Sequence, residues 1–266
     1  MSRKSQPRSS NATMRAVQER RDQQRKRDRR TLVTISAAVI VVLLVLAGLV
    51  TWAVLQRQSD IASGEGASKS LTLSTAIKQD RGMVLGADGP GKATAGAPVV
   101  ELYFDYSCAH CVDFEHRVGK DVMADVAAGK YTLKLHPVLT EALPYQYPAT
   151  ELSLRVYQSQ PDKFTALHEA LTEEAYQAMV NRDYDPLTND PVETVRKVGK
   201  KVGIDDKILD TLSTGASQSI LTDWSKAWTS SGLSADGKYG TPMFVRDGKM
   251  VQITSIDDAL AKMRGE

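Results

Sequence analysis

Two cysteines, two residues apart, stand where an apolar run gives way to a helical pattern. Val99-Val100-Glu101-Leu102-Tyr103-Phe104 is apolar, β-branched and aromatic, the signature of a buried strand. Cys108-Ala109-His110-Cys111 follows, and Cys111, Phe114, Val118, Val122 and Val126 then recur at the spacings of three and four that one buried helix face requires. Residues 131–135 alternate and read as the next strand, stopped by Pro137. The pattern is strand–helix–strand with the cysteine pair at the first junction. These are the only cysteines in the chain. So close together they close too small a loop to staple a fold, which points to chemistry rather than architecture.

The junction explains what that chemistry would be. A thiolate, not a thiol, is the nucleophile, and a free thiol titrates near about 8.5. A helix N-terminus carries a partial positive charge and unpaired N–H groups, both of which favour the thiolate. Cys108 is the expected exposed, attacking sulfur, and Cys111, one turn inward, the resolving one. His110 reads either as an exposed imidazole or as a donor beside Cys108 that stabilises the thiolate and hence the reduced form. Half a zinc site is the rival reading. Tetrahedral zinc needs four ligands, and His110, His116, His136 and His168 form no second paired cluster, so no metal is expected. The dithiol carries its own electrons, so no cofactor is expected either.

Downstream, residues 149–159, 163–179, 192–202 and 207–228 carry helical patterns, with prolines between them. The strand pattern returns at residues 243–245 and 250–253, joined by Asp247-Gly248, a favoured tight-turn pair. Ser255 is a plausible N-cap for a last helix. Residues 83–85 suggest an extra edge strand. Thr241-Pro242 precedes the strand at 243. The proline there is either a strand-start signal or a cis peptide that would free the Thr241 backbone to pair with an extended substrate.

The first quarter of the chain reads differently. Residues 1–30 hold eleven Lys/Arg against Glu19, Asp22 and Asp28, a charge of +8, which leaves −6 on the rest of a chain of net charge +2. A mildly acidic body with a basic tail does not fit a nucleic-acid binder. Residues 31–56 contain no charged residue. At 1.5 Å of rise per residue, about 20 such residues cross a bilayer core. The run is longer than a cleaved signal's apolar stretch and lacks an A-x-A pattern, so an uncleaved transmembrane anchor is expected. The basic tail predicts a cytoplasmic N-terminus and an extracytoplasmic body in the cell membrane. Residues 57–70, rich in Ser, Gly and Ala, read as a flexible linker, and residues 71–266 as the globular domain.

Taken together, the strand VVELYFDY, the site Ser107-Cys108-Ala109-His110-Cys111, the helical block, and Gly240-Thr241-Pro242 before a hairpin and final helix resemble the DsbA-like branch of the thioredoxin superfamily. The likeness is greatest to its membrane-anchored actinobacterial members. It implies an α/β thioredoxin fold carrying a helical insertion at about residues 139–235. It also implies Cys108 as nucleophile, Cys111 as its partner in a redox-active disulfide, His110 as thiolate stabiliser, and Thr241 and Pro242 as a substrate-binding cis-proline loop. The implied activity is oxidation of cysteine pairs in secreted or cell-envelope proteins, with a membrane quinone-linked partner as reoxidant. The alternatives are an extracytoplasmic reductase or isomerase, or a redox-silent membrane-tethered peptide-binding module. The sequence departs from the family at two places. Ala109 stands where Pro is common, and Leu102 stands where a buried acid is frequent, with Glu101 one residue earlier on the opposite strand face.

Overall fold

The structure, a computed structural model, describes residues 71–141 and 143–266. The basic tail, the apolar run and the linker expected over residues 1–70 lie outside the described residues. Among the described residues, no helix is long and apolar enough to cross a membrane.

The strand–helix–strand unit forms as the pattern requires. The strand β3 (Val99–Phe104) alternates in burial: Val100, Leu102 and Phe104 are each 1% exposed, and the intervening residues are half-buried on the other face. Helix α2 (Ala109–Ala127) buries Cys111, Phe114, Val118, Val122 and Val126 as one stripe. Each such side chain contributes about 1.5–3 kcal/mol on burial. Strand β4 (Thr132–Pro137) then pairs parallel to β3, Val99 opposite Thr132 and Phe104 opposite Pro137. The chain pairs through Pro137 rather than stopping before it; as the last strand residue, its missing N–H costs the ladder little.

Four further strands complete a sheet of order β2-β1-β4-β3-β5-β6. β1 (Met83–Gly86) is the extra strand, antiparallel to β4, but the edge position belongs to β2 (Gly89–Pro90). β5 (Met243–Arg246) runs antiparallel to β3 and forms a hairpin with β6 (Lys249–Val251). Asp247 and Gly248 both take positive φ, 49° and 76°, the tight turn that Asp-Gly favours. Ahead of the sheet, α1 (Thr75–Asp80) starts at Ser74, whose side chain accepts from the Ile77 N–H. The last helix, α9 (Ile256–Arg264), starts at Ser255, which accepts from the Asp258 N–H. Arg264 and Lys130 both reach the buried Asp125 carboxylate at 2.6 Å, tying α9 to the far end of α2.

Between β4 and β5 stands the helical block: α3 (Gln146–Ser159), α4 (Phe164–Val180), the short α5 (Asp185–Thr188), α6 (Pro191–Val202), the short α7 (Asp206–Leu209) and α8 (Gln218–Thr229). The single helix expected over residues 207–228 is broken in two. Within the break, the fully buried Glu151 carboxylate of α3 accepts from the N–H and hydroxyl of Ser213, at 3.1 and 3.3 Å. α3 begins three residues earlier than its pattern suggested. Pro148 is tolerated there because first-turn N–H groups have no helical partner.

Two apolar clusters flank the sheet. The larger joins the sheet to α2 and the helical block. The smaller, on the other face, packs Val138, Met243 and Val245 under Trp228 of α8.

Candidate active site

The site is built where β3 ends. Asp105, wholly buried, turns the chain toward α2: its carbonyl accepts from the Cys108 N–H at 3.0 Å. Its carboxylate Oδ1 accepts from the N–H and hydroxyl of Ser107, at 2.8 and 2.6 Å. Oδ2 accepts from the N–H of Thr140 at 2.8 Å, the hydroxyl of Thr140 at 3.2 Å and the N–H of Glu141 at 3.2 Å. One carboxylate thus shapes the turn that carries the first cysteine and draws in the loop after β4.

Cys108 is the N-cap of α2. The second cysteine lies one turn inward, and both are free thiols in this state. Thr241 and Pro242, remote in sequence, close over the pair. Their peptide bond is cis, and the Cys108 thiol donates to the Thr241 carbonyl at 3.4 Å. Cys108 is therefore 2% exposed, as is Cys111, so the expectation of an exposed first cysteine needs correction: the loop before β5 covers it. The two sulfurs are nonetheless electrostatically unlike. The Cys111 thiol donating to it, backed by the Thr241 side chain and the N–H groups of Cys111 and His110, lowers Cys108 to about 6 against the opposing effect of burial. Burial, then the hydrogen bond to Cys108 and its charge, pushes Cys111 well above the ordinary thiol range. His110 reaches the sulfur through its backbone N–H, while its side chain is exposed at the second position of α2.

Leu102, 1% exposed, leaves an apolar side chain where a buried acid is frequent in the family resembled. Glu101 does face away, across the sheet. Its carboxylate lies 3.1 Å from His136 Nε2 and accepts from the Tyr103 hydroxyl at 3.3 Å. The His136 hydrogen bond holds Glu101 below the usual carboxylate range.

Behind the site, Tyr106 ties β3 to the helical block. Its N–H donates to Gln146 Oε1 at 2.7 Å, and its hydroxyl lies 2.7 Å from Ser153 Oγ and 2.9 Å from His168 Nδ1. Gln146 in turn donates to the Val138 carbonyl at 2.8 Å. His168 Nε2 stands 3.4 Å from Glu115 Oε1 on α2, at the floor of a cleft of about 510 Å³ between α2 and α4.

The structure thus brings together Cys108, Cys111, His110, Thr241 and Pro242. Asp105 and Thr140 escaped the sequence reading. A lone acid directly after an apolar strand is a faint signal for the first; nothing local marks the second.

A thioredoxin family model matches residues 89–263. Among solved structures, the chain is similar to MdbA, a thiol-disulfide oxidoreductase from Actinomyces oris, at 22% identity, covering 70% of this chain and 86% of that one with a TM-score of 0.55. It is also similar to MdbA from Corynebacterium diphtheriae, at 18% identity, covering 74% and 95% with a TM-score of 0.52. At these identities the likeness is one of fold. No curated protein matches the chain.

Proposed function

Because this chain belongs to the thioredoxin family, with a helical block inserted between β4 and β5, we propose that it is a thiol–disulfide oxidoreductase that oxidises cysteine pairs of secreted or cell-envelope proteins. The observation that carries this reading is the opposite treatment of its two sulfurs: donors converge on Cys108, while Cys111 is buried and kept protonated.

In the oxidised state a substrate thiolate attacks Cys108 Sγ. The Cys108–Cys111 bond breaks and a Cys108–substrate disulfide forms. Cys111 leaves with the electron pair and takes up a proton, as its burial demands. A second substrate thiolate then attacks the substrate sulfur of the mixed disulfide and expels Cys108 as a thiolate. Two electrons have passed to the enzyme dithiol, and the substrate holds a disulfide. A leaving thiol of lower pKa departs faster, and stabilising the reduced form makes the disulfide a stronger oxidant. The donors around Cys108 serve both effects. Reoxidation falls to a membrane quinone-linked partner in this proposal. Residues 31–56 anchor the domain with the N-terminus in the cytoplasm, a reading supported by the charge asymmetry of the sequence.

The test is the equilibrium reduction potential of the full chain against glutathione, together with turnover of a reduced protein substrate. A potential well above about −200 mV supports a disulfide donor, whereas one at or below about −270 mV makes the chain a reductase. Cys108→Ser is expected to bring thiol oxidation down to the uncatalysed rate. Retained oxidation in that variant would sink the proposal.

A further inference from the structure

Proton accounting around Asp105 yields a role for a residue outside the sulfur pair, and it rests on the reading of Cys108 as the reacting thiol. Five donors reach the Asp105 carboxylate, and it acts as an acceptor in every one of these contacts. A threonine hydroxyl has one hydrogen. Thr140 gives its hydrogen to Asp105 Oδ2. The 2.7 Å contact between the Thr140 and Thr241 hydroxyls admits either donor, and the assignment that keeps the Asp105 bond gives its hydrogen to Thr241. With its hydrogen committed there, the Thr241 hydroxyl presents only lone pairs to other neighbours. That suits a thiol, whose own hydrogen goes to the Thr241 carbonyl. It does not suit a thiolate, which needs a donor.

We propose that Thr140 is a positioning residue for Cys108: anchored on Asp105, its hydroxyl oxygen holds the Thr241 hydroxyl hydrogen away from the sulfur and competes with the thiolate for it. When Cys108 is released as a thiolate, the Thr241 hydroxyl turns from Thr140 to the sulfur. No proton changes owner in that rotation. Thr140 thereby sets how much the Thr241 side chain contributes to thiolate stability. The titratable groups that meet this cluster are Cys111 and His110 on α2, Asp105 after β3, Glu141 after β4, whose N–H is on Asp105, and Tyr147 on α3, which senses the Asp105 charge. Of these, only Asp105 loses a contact when the Thr140 hydroxyl is removed, and four of its five donors remain.

The experiment is the rate of iodoacetamide alkylation of Cys108 in the reduced full chain from pH 4 to 9, read by mass spectrometry. Thr140→Val gives up one of the five hydrogen bonds to Asp105, so its melting temperature is recorded beside the wild type's to show that the fold is kept. Thr140→Val keeps the shape and removes the competing oxygen. Its alkylation midpoint is expected about half a pH unit below the wild type's, a roughly threefold shift in the thiol/thiolate ratio, as befits one modest hydrogen bond. Thr140→Ser, which retains the hydroxyl, is expected to return the midpoint to the wild-type value. An unchanged or raised midpoint in Thr140→Val overturns the competition. A wild-type midpoint near about 8.5 overturns instead the reading of Cys108 as an activated thiol, and the inference with it.

Discussion

At the scale of the residue, the site separates two identical side chains by their surroundings. Cys108 sits over the open end of a helix and collects donors; Cys111, three residues later, is kept protonated by burial and by its hydrogen bond to Cys108. The difference has a thermodynamic consequence. The folded Cys108 thiol titrates at about 6 and the unfolded one near about 8.5. Between these values the unfolded reduced chain binds a proton that the folded chain has released, so folded stability rises with pH there. The contribution is fully present above the unfolded value and is lost as pH falls through about 6. Cys111, protonated in both states below about 8.5, leaves that window unaffected. The melting temperature of the reduced wild type relative to Cys108→Ser is therefore expected to grow from pH 6 to pH 8. A difference that stays flat across that range would show that folding does not stabilise the thiolate.

At the scale of the element, the join between β3 and the helical block depends on one side chain. The Tyr106 hydroxyl is buried between Ser153 of α3 and His168 of α4, and its ring packs edge-on to Phe104 and His168. Tyr106→Phe keeps the ring and removes the oxygen, leaving two buried polar atoms without their partner. Such a loss costs about 1–3 kcal/mol, expected as a lower urea midpoint with an unchanged m-value. A midpoint equal to the wild type's would mean that Ser153 and His168 find other partners. The helix pattern alone locates α3, α4 and α6 within a few residues: α4 and α6 bury a periodic stripe, whereas α3 is buried on every side from Pro148 to Leu154. It fails between α7 and α8, where the chain leaves the helix after Leu209 and Ser213 meets Glu151 of α3.

At the scale of the whole molecule, the −6 body and the +8 tail flank an uncharged run at residues 31–56, and the proposed topology follows from that division. The full chain is expected to remain in the membrane fraction after an alkaline carbonate wash, and a chain lacking residues 1–56 to be released. In intact cells a membrane-impermeant maleimide should label the reduced cysteines from outside. Labelling only after permeabilisation would reverse the orientation.

The strand–helix–strand unit, the placement of both cysteines at its junction, the hairpin at Asp247-Gly248 and the charge asymmetry are legible in the residues alone. All of these are local or periodic, and burial of one face acts on a helix or strand through its own spacing. Only the packed chain sets the depth of Cys108, the contact of Thr241 with its sulfur, and the hydrogen bonds that link Asp105 to Thr140 and Thr140 to Thr241. Asp105 and Thr140 are 35 residues apart and Thr140 and Thr241 are 101 apart. Hydrogen bonds across such separations leave no periodic trace in the chain. They form only once the sheet order has placed the loops after β3 and β4 and the loop before β5 side by side.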